Sequence, residues 1–280
     1  MQSWILTRYE DCMAVLRDTE TFSSDARHAE GELGKLATRQ REESPLGDTQ
    51  TLLTIDPPAH SRMRAIVNRV FVPRRVEELR PRIEEIVDGL LEDLPKSGEF
   101  ELMEALAQPL PVIVIAELLG VPPNDRVRFK EWSTAIAATT DLLNSEEVIN
   151  DASDTTLELM EYFGRFIEER RTSPRGDLIS ALVEAQELDQ LTTDEILAFT
   201  ILLLVAGHET TTNLIGNGTL ILLDRQEDAE KLRVNVDTIP RAVEEMLRFD
   251  SPVQAVVRVA RESTDIGTKR IERGDVLMLM

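Results

Sequence analysis

Seven consecutive residues, Ala206-Gly207-His208-Glu209-Thr210-Thr211-Thr212, set a carboxylate beside a hydroxyl in the middle of a strongly apolar stretch. Such a pair can pass and hold protons next to a bound cofactor, and the glycine lets a ligand approach the backbone closely. The same residues also suit a polar seam between packed helices, and the segment alone does not choose. A second stretch, Asp56-Pro57-Pro58-Ala59-His60-Ser61-Arg62-Met63-Arg64, opens a helix with His60 and Arg64 four residues apart and hence on one face. A histidine with an arginine fits a pair of carboxylates better than a metal, although a plain surface role stays open. A third stretch runs from Glu244-Glu245-Met246-Leu247-Arg248 through Asp250-Ser251-Pro252-Val253 to Arg258. Glu-x-x-Arg is a common surface ion pair, and Glu77 with Arg80, Glu168 with Arg171 and Glu230 with Arg233 repeat the spacing. What sets Glu245 and Arg248 apart is the abrupt passage from helix through Ser-Pro into an apolar strand bearing Arg258. A zinc hydrolase built on His208 and Glu209 fails, because no second histidine follows at helical spacing and only His28 and His60 remain.

These residues need elements to hold them, and the pattern is mostly helical. Thr192 as N-cap and Glu195 three residues later form a capping box that starts a helix running to about Leu223, roughly 45 Å long. From Ile196 to Ala206 it is apolar on nearly every face, so it is expected to be the buried central helix. From Pro73, apolar residues at three- and four-residue steps (Val76, Leu79, Ile83, Ile86, Leu90, Leu94) predict one amphipathic helix ending near Pro95 and Gly98. Further helices are expected at Tyr9–Arg17, Ala59–Phe71, Met103–Leu119, Arg126–Ala138, Glu146–Arg171, Leu178–Glu187 and Ile239–Phe249. Strand signals lie mostly near the end, at Ala255–Val259 and Val276–Met280, around a turn at Glu272-Arg273-Gly274-Asp275. The acidic stretch from Arg27 to Gly47 reads as an irregular loop.

Composition narrows the function classes. Of the 280 residues 42% are hydrophobic, enough for a sizeable core. Lys and Arg total 31 against 52 Asp and Glu, so 31 − 52 gives a net charge of −21, which disfavours nucleic acid or an anionic membrane as the main partner. A single cysteine, Cys12, excludes an internal disulfide framework and a multi-cysteine metal site, and suits a reducing cytoplasm. Beside Met13 and Val15 it is expected to be a core residue. No signal peptide or bilayer-length apolar run is present, so the chain is expected to be a soluble, cytoplasmic protein.

Taken together and in this order, the three stretches resemble the cytochrome P450 family, the haem-thiolate monooxygenases. The resemblance covers essentially the whole chain, from Trp4-Ile5-Leu6-Thr7-Arg8-Tyr9-Glu10-Asp11 and Phe22-Ser23-Ser24 to Arg273-Gly274-Asp275. It is closest to soluble bacterial members fed electrons by a ferredoxin-type partner. It implies a mostly α P450 fold, with residues 1–280 as one partial domain, haem b as cofactor, and insertion of one oxygen atom of O2 into a small organic substrate. It implies that His60, Arg64 and Arg258 bind haem propionates and that Ala206 and Gly207 line the haem pocket. Glu209 would stand in the proton path, and Thr210 would steady iron-bound oxygen until the O–O bond breaks. Glu245 and Arg248 would be a buried structural ion pair, with Val253, Val256 and Val257 facing substrate. The family's iron ligand is a cysteine in a Phe-x-x-Gly-x-x-x-Cys loop beyond the final strand. That loop is not in this sequence, Cys12 does not match it, and no residue here is expected to ligate metal. Both ends are shorter than the family's pattern. A partial enzyme, inactive in isolation, and a short non-catalytic binding module both fit, and the substrate is not legible.

Overall fold

The computed structural model describes residues 3–137, 146–188 and 191–280. In chain order the elements are β1 (Ser3–Leu6), α1 (Tyr9–Arg17), β2 (Phe22–Ser23), a 3-10 turn (Ala26–His28), α2 (Glu32–Glu42), α3 (Ala59–Val70), α4 (Pro73–Glu78), α5 (Arg80–Glu92) and a π turn (Met103–Ala107). There follow α6 (Pro109–Leu118), a 3-10 turn (Pro123–Asp125), α7 (Arg126–Ala137), α8 (Glu146–Thr172), α9 (Leu178–Glu187), α10 (Thr193–Asp224), α11 (Gln226–Val234), a 3-10 turn (Val236–Thr238) and α12 (Ile239–Phe249). Strands β3 (Val256–Ala260), β4 (Thr264–Ile266), β5 (Lys269–Ile271) and β6 (Val276–Leu279) complete the order. The expected last residue of α7, Ala138, lies outside the described residues. None of the described helices is long and apolar enough to cross a membrane.

Four expectations are corrected. The single helix expected from Pro73 is two, because Pro81 has no N–H to give the Glu77 carbonyl. Leu79 closes α4 by bonding back to Val76 at 3.1 Å, and α5 starts afresh. The expected helix Met103–Leu119 is likewise divided, since Pro109 and Pro111 deprive the preceding turn of donors and it relaxes into a π turn, Gln108 N to Met103 O at 2.9 Å. The Arg27–Gly47 stretch is not irregular: Gly31, at φ 74°, turns the chain into α2. A further helix, α11, stands where the sequence offered no apolar stripe, and it buries no residue.

α10 runs through the main core and packs against α6, α7, α8, α9, α12 and the π turn. Its capping box forms as the sequence predicts, with Thr192 Oγ1 accepting from Glu195 N at 3.1 Å and Glu195 Oε2 accepting from Thr192 N at 2.8 Å. Ile196 to Ile201 are all buried, but Ala206 is exposed, so the helix opens to one side before its polar segment. The main core joins Met63, Ile66 and Val67 of α3 to Phe129, Trp132, Leu159, Phe163, Ile179 and Leu204. A second, smaller cluster lies under a four-stranded sheet of order β1-β6-β3-β2. β1 is parallel to β6, with Trp4 opposite Leu277, while β3 is antiparallel to both its neighbours, with Arg258 opposite Leu277. Cys12 sits in this second cluster as a buried core residue, its thiol 3.4 Å from the Leu6 carbonyl. β4 and β5 form a separate hairpin.

Candidate functional site

The polar segment of α10 folds as helix against its own preferences. Gly207 and three threonines cost roughly 2–3 kcal/mol relative to alanines, and Thr210 Oγ1 donates to its own helix's Ala206 carbonyl at 2.6 Å, loosening the ladder as the sequence suggested. Tertiary contacts must therefore hold it, and they do so on one side. His208 and Ser133 of α7, both buried, form a hydrogen bond of 2.6 Å between Nδ1 and Oγ. Burial pushes the His208 pKa down, opposed by the Glu209 charge and aided by Lys130. Thr212 Oγ1 donates at 3.0 Å to the Ala107 carbonyl of the π turn. That carbonyl would look to residue 111 for its helical donor, and Pro111 has none. At Gly207 an added Cβ would stand 2.8 Å from Ile115 Cδ1 of α6, so the close approach that glycine permits is that of a neighbouring helix rather than a ligand. Ala206 is left exposed, with Glu209 and Thr210 half-buried.

Asp56 organises the other part of the site. Asp56, just before α3, accepts from Ser24 N at 2.9 Å and from the Ser23 hydroxyl of β2, and it pairs with Arg261 just past β3. One carboxylate thereby fastens the start of α3 to the sheet, while Arg62 pairs with Glu195 in the first turn of α10. His60 and Arg64 lie on α3, and Asp56 also bears on half-buried Arg258. Burial pushes the Arg258 guanidinium below its ordinary range, with Asp56 opposing, and its hydrogen bond goes to the adjoining Val257 carbonyl at 2.8 Å. Neither the His60 nor the Arg64 side chain has a hydrogen-bond or ion-pair partner among the described residues. The sequence pointed to His60, Arg64 and Arg258, but it gave Asp56, the residue that ties the start of α3 to the sheet, no role. Its signal lay in the same stretch, an acidic residue directly ahead of the Pro-Pro step into the helix.

Glu245 and Arg248 make their ion pair through two hydrogen bonds of 2.7 and 2.6 Å. It is not the buried pair the resemblance implied, since the side chains are 61% and 69% exposed. α12 uses its other side for packing, with Met246 against Gly218 of α10, and turns this pair outward. Glu77 with Arg80, Glu168 with Arg171 and Glu230 with Arg233 are solvated pairs of the same spacing. Val253, Val256 and Val257 stand exposed, as does Ala206.

The family model for cytochrome P450 matches residues 3–280. The chain belongs to the cytochrome P450 family. It is 37% identical to the putative cytochrome P450 YjiB of Bacillus subtilis, over 99% of this chain and 67% of that protein. It is 40% identical to the vitamin D(3) 25-hydroxylase of Pseudonocardia autotrophica, over 99% of this chain and 66% of that one. Among solved structures, the P450 PksS of the Bacillus subtilis bacillaene polyketide synthase superposes with a TM-score of 0.87 at 36% identity, covering 99% of this chain and 68% of that one. P450BioI, solved with an acyl carrier protein bearing hexadec-9Z-enoic acid, gives 0.88 at 36% identity over 99% and 70%. This P450 chain spans about two thirds of the length of the curated relatives it matches. P450 proteins bind haem b, whose propionates are carboxylates. Half-buried Arg258, bonded to its neighbour's carbonyl, together with His60 and Arg64 on α3, offers donor types that fit such carboxylates.

Proposed function

We propose that this chain is the oxygen-handling and substrate-facing part of a P450 monooxygenase. The reaction puts one oxygen atom of O2 into a small organic molecule and releases the other as water, consuming two electrons and two protons. The electrons would come from a ferredoxin-type donor, in the cytoplasm. The observation that carries this reading is the segment Ala206–Thr212, a carboxylate and a hydroxyl held on the less covered side of a helix otherwise clamped into an apolar core. His60, Arg64 and Arg258 would hold the haem propionates by charge-assisted hydrogen bonds. When bound, haem supplies an iron that binds oxygen and takes up the electrons. Ala206 has no side chain beyond Cβ to crowd the open side. Thr210 already gives its proton to the Ala206 carbonyl, so its lone pairs are turned to accept a hydrogen bond from a donor on that side. Glu209 can take protons from solvent and pass them inward. Val253, Val256 and Val257 would present apolar contacts to the substrate.

The test measures product, hydrogen peroxide and consumed reductant together in haem-loaded holoenzyme. Thr210→Ala is expected to keep haem content and reductant consumption while the product-to-reductant ratio falls roughly tenfold, about the worth of one hydrogen bond. Glu209→Gln is expected to slow turnover by about a hundredfold or more, as loss of an acid–base group does. A polar seam, or a non-catalytic module, predicts lower melting temperatures with the ratio unchanged. The 280-residue chain itself, given haem and reduced under carbon monoxide, is expected to show no thiolate-type Soret band, because Cys12 lies in the sheet's core cluster.

A further inference from the structure

We infer that Ser133 and Thr212 form a two-point clamp on the back of α10, fixing the rotation at which Ala206 and Thr210 face outward and Glu209 lies on the flank beside them. They act as positioning residues, Ser133 through His208, and the inference rests on the site reading above. Successive residues of a helix step by about 100° around its axis. His208 and Thr212, four apart, therefore share one face, and Ala206 and Thr210, also four apart, share another about 120–160° away. The two ties engage different elements. Ser133 belongs to α7 and bonds His208 at 2.6 Å, whereas Thr212 reaches the π turn at the Ala107 carbonyl, 3.0 Å away. Each tie joins groups that are removed from solvent. Ser133, His208 and Thr212 are 0%, 7% and 6% exposed, and the Ala107 carbonyl lacks its α-helical donor because residue 111 is proline. Turning α10 by even one residue step would leave both partners buried and unsatisfied, which is costly enough to select one orientation. The stretch between the ties needs this help, since Gly207 and the back-bonded Thr210 leave its own ladder weak. Ile115 against Gly207 fills the flank between the two faces. Burial lowers the His208 pKa and so favours the neutral imidazole, with Glu209 of α10 opposing and Lys130 of α7 aiding.

Amide hydrogen exchange on the 280-residue chain reads the clamp without cofactor. Ser133→Ala and Thr212→Val are each expected to speed exchange in peptides spanning residues 206–213 by about tenfold, the loss of one hydrogen bond's worth of local stability. Exchange in α9 should not change, and Ser133→Thr, which keeps the hydroxyl, should restore the slow rate. A rise shared equally by α9 means ordinary loss of stability and overturns the inference, as does no rise in either variant. In holoenzyme, Ser133→Ala should lower the product-to-reductant ratio and Ser133→Thr recover it. An unchanged ratio in Ser133→Ala, where Thr210→Ala lowers it, also overturns the positioning role. If Thr210→Ala itself leaves the ratio unchanged, the catalytic reading falls, and the exchange pattern decides the clamp by itself.

Discussion

His208 gives the pH dependence of folding a definite sign. Burial lowers its pKa, so the folded protein keeps the ring neutral at a pH where the unfolded chain has taken up a proton. Below about pH 6.5 the unfolded state therefore binds the extra proton, and stability falls by at most about 1.4 kcal/mol per pH unit until the folded pKa is reached. Above that pH the contribution is constant. His208→Gln should flatten the slope just below about pH 6.5, read from denaturant midpoints, and an unchanged slope would assign it to other groups. Arg258 and Arg261, three residues apart on the same edge of the site, should behave oppositely. Arg261→Ala removes a bond to Asp56 and should cost about 1.5–3 kcal/mol in the haem-free chain, whereas Arg258→Ala removes a half-buried cation bonded to its own neighbour's carbonyl. Arg258→Ala should leave haem-free stability within about 0.5 kcal/mol and instead weaken haem retention, as titration of the chain with haem would show. Both arginines are visible in the sequence. Their difference is not, because it depends on which of them reaches Asp56, some 200 positions earlier.

At the scale of elements, what the sequence revealed is what local physics controls. The capping box of α10, the apolar spacing of α3, α8 and α9 and the helix α12 before Ser251-Pro252 all follow from neighbours in the chain. Thr192→Ala should cost about 1 kcal/mol, a fall of roughly 2–4 °C in melting temperature, while Glu195→Ala should cost more because it also releases Arg62 of α3. Equal losses in the two variants would show that the tie between α3 and α10 carries nothing. The elements that were not legible share a different cause. α11 has a solvated sequence with no apolar stripe. β1 and β2 are short and gain their definition from partners far along the chain. Pro81 and Pro109 each lie where an apolar period continues past them, and the missing N–H outweighs the period. The candidate site divides in the same way. Glu209, Thr210, His60, Arg64 and Arg258 could be named from type and spacing, but the outward face of the Glu245–Arg248 pair and the Ser133–His208 bond depend on which helices meet.

For the molecule as a whole, the main helical core and the sheet cluster differ in how their contacts are spaced along the chain, and this bears on how they unfold. The helical core includes pairings of consecutive helices, α7 on α8 and α8 on α9, and its tie from Arg62 of α3 to Glu195 of α10 spans 133 residues. The sheet is closed by β1 on β6, a pairing across more than 270 residues in which Trp4 Nε1 donates to Asp275 at 2.9 Å. Closing so long a loop is entropically costly and is repaid only by a short parallel ladder. Ile5 on β1 is itself 69% exposed, so that strand adds little apolar burial. The sheet should therefore open before the helical core does. The chain's two tryptophans fall one in each part, Trp4 on β1 and Trp132 of α7 in the helical core at 4% exposure. Trp132→Phe makes fluorescence report the sheet, and Trp4→Phe makes it report the helical core. The sheet signal is expected to change at the lower urea concentration, and the indole bond to Glu158 is intact in the variant that reads the helical core. Coincident midpoints in the two variants would show that the helical core and the sheet unfold as one cooperative unit, and that the parallel ladder is stronger than its length and exposure imply.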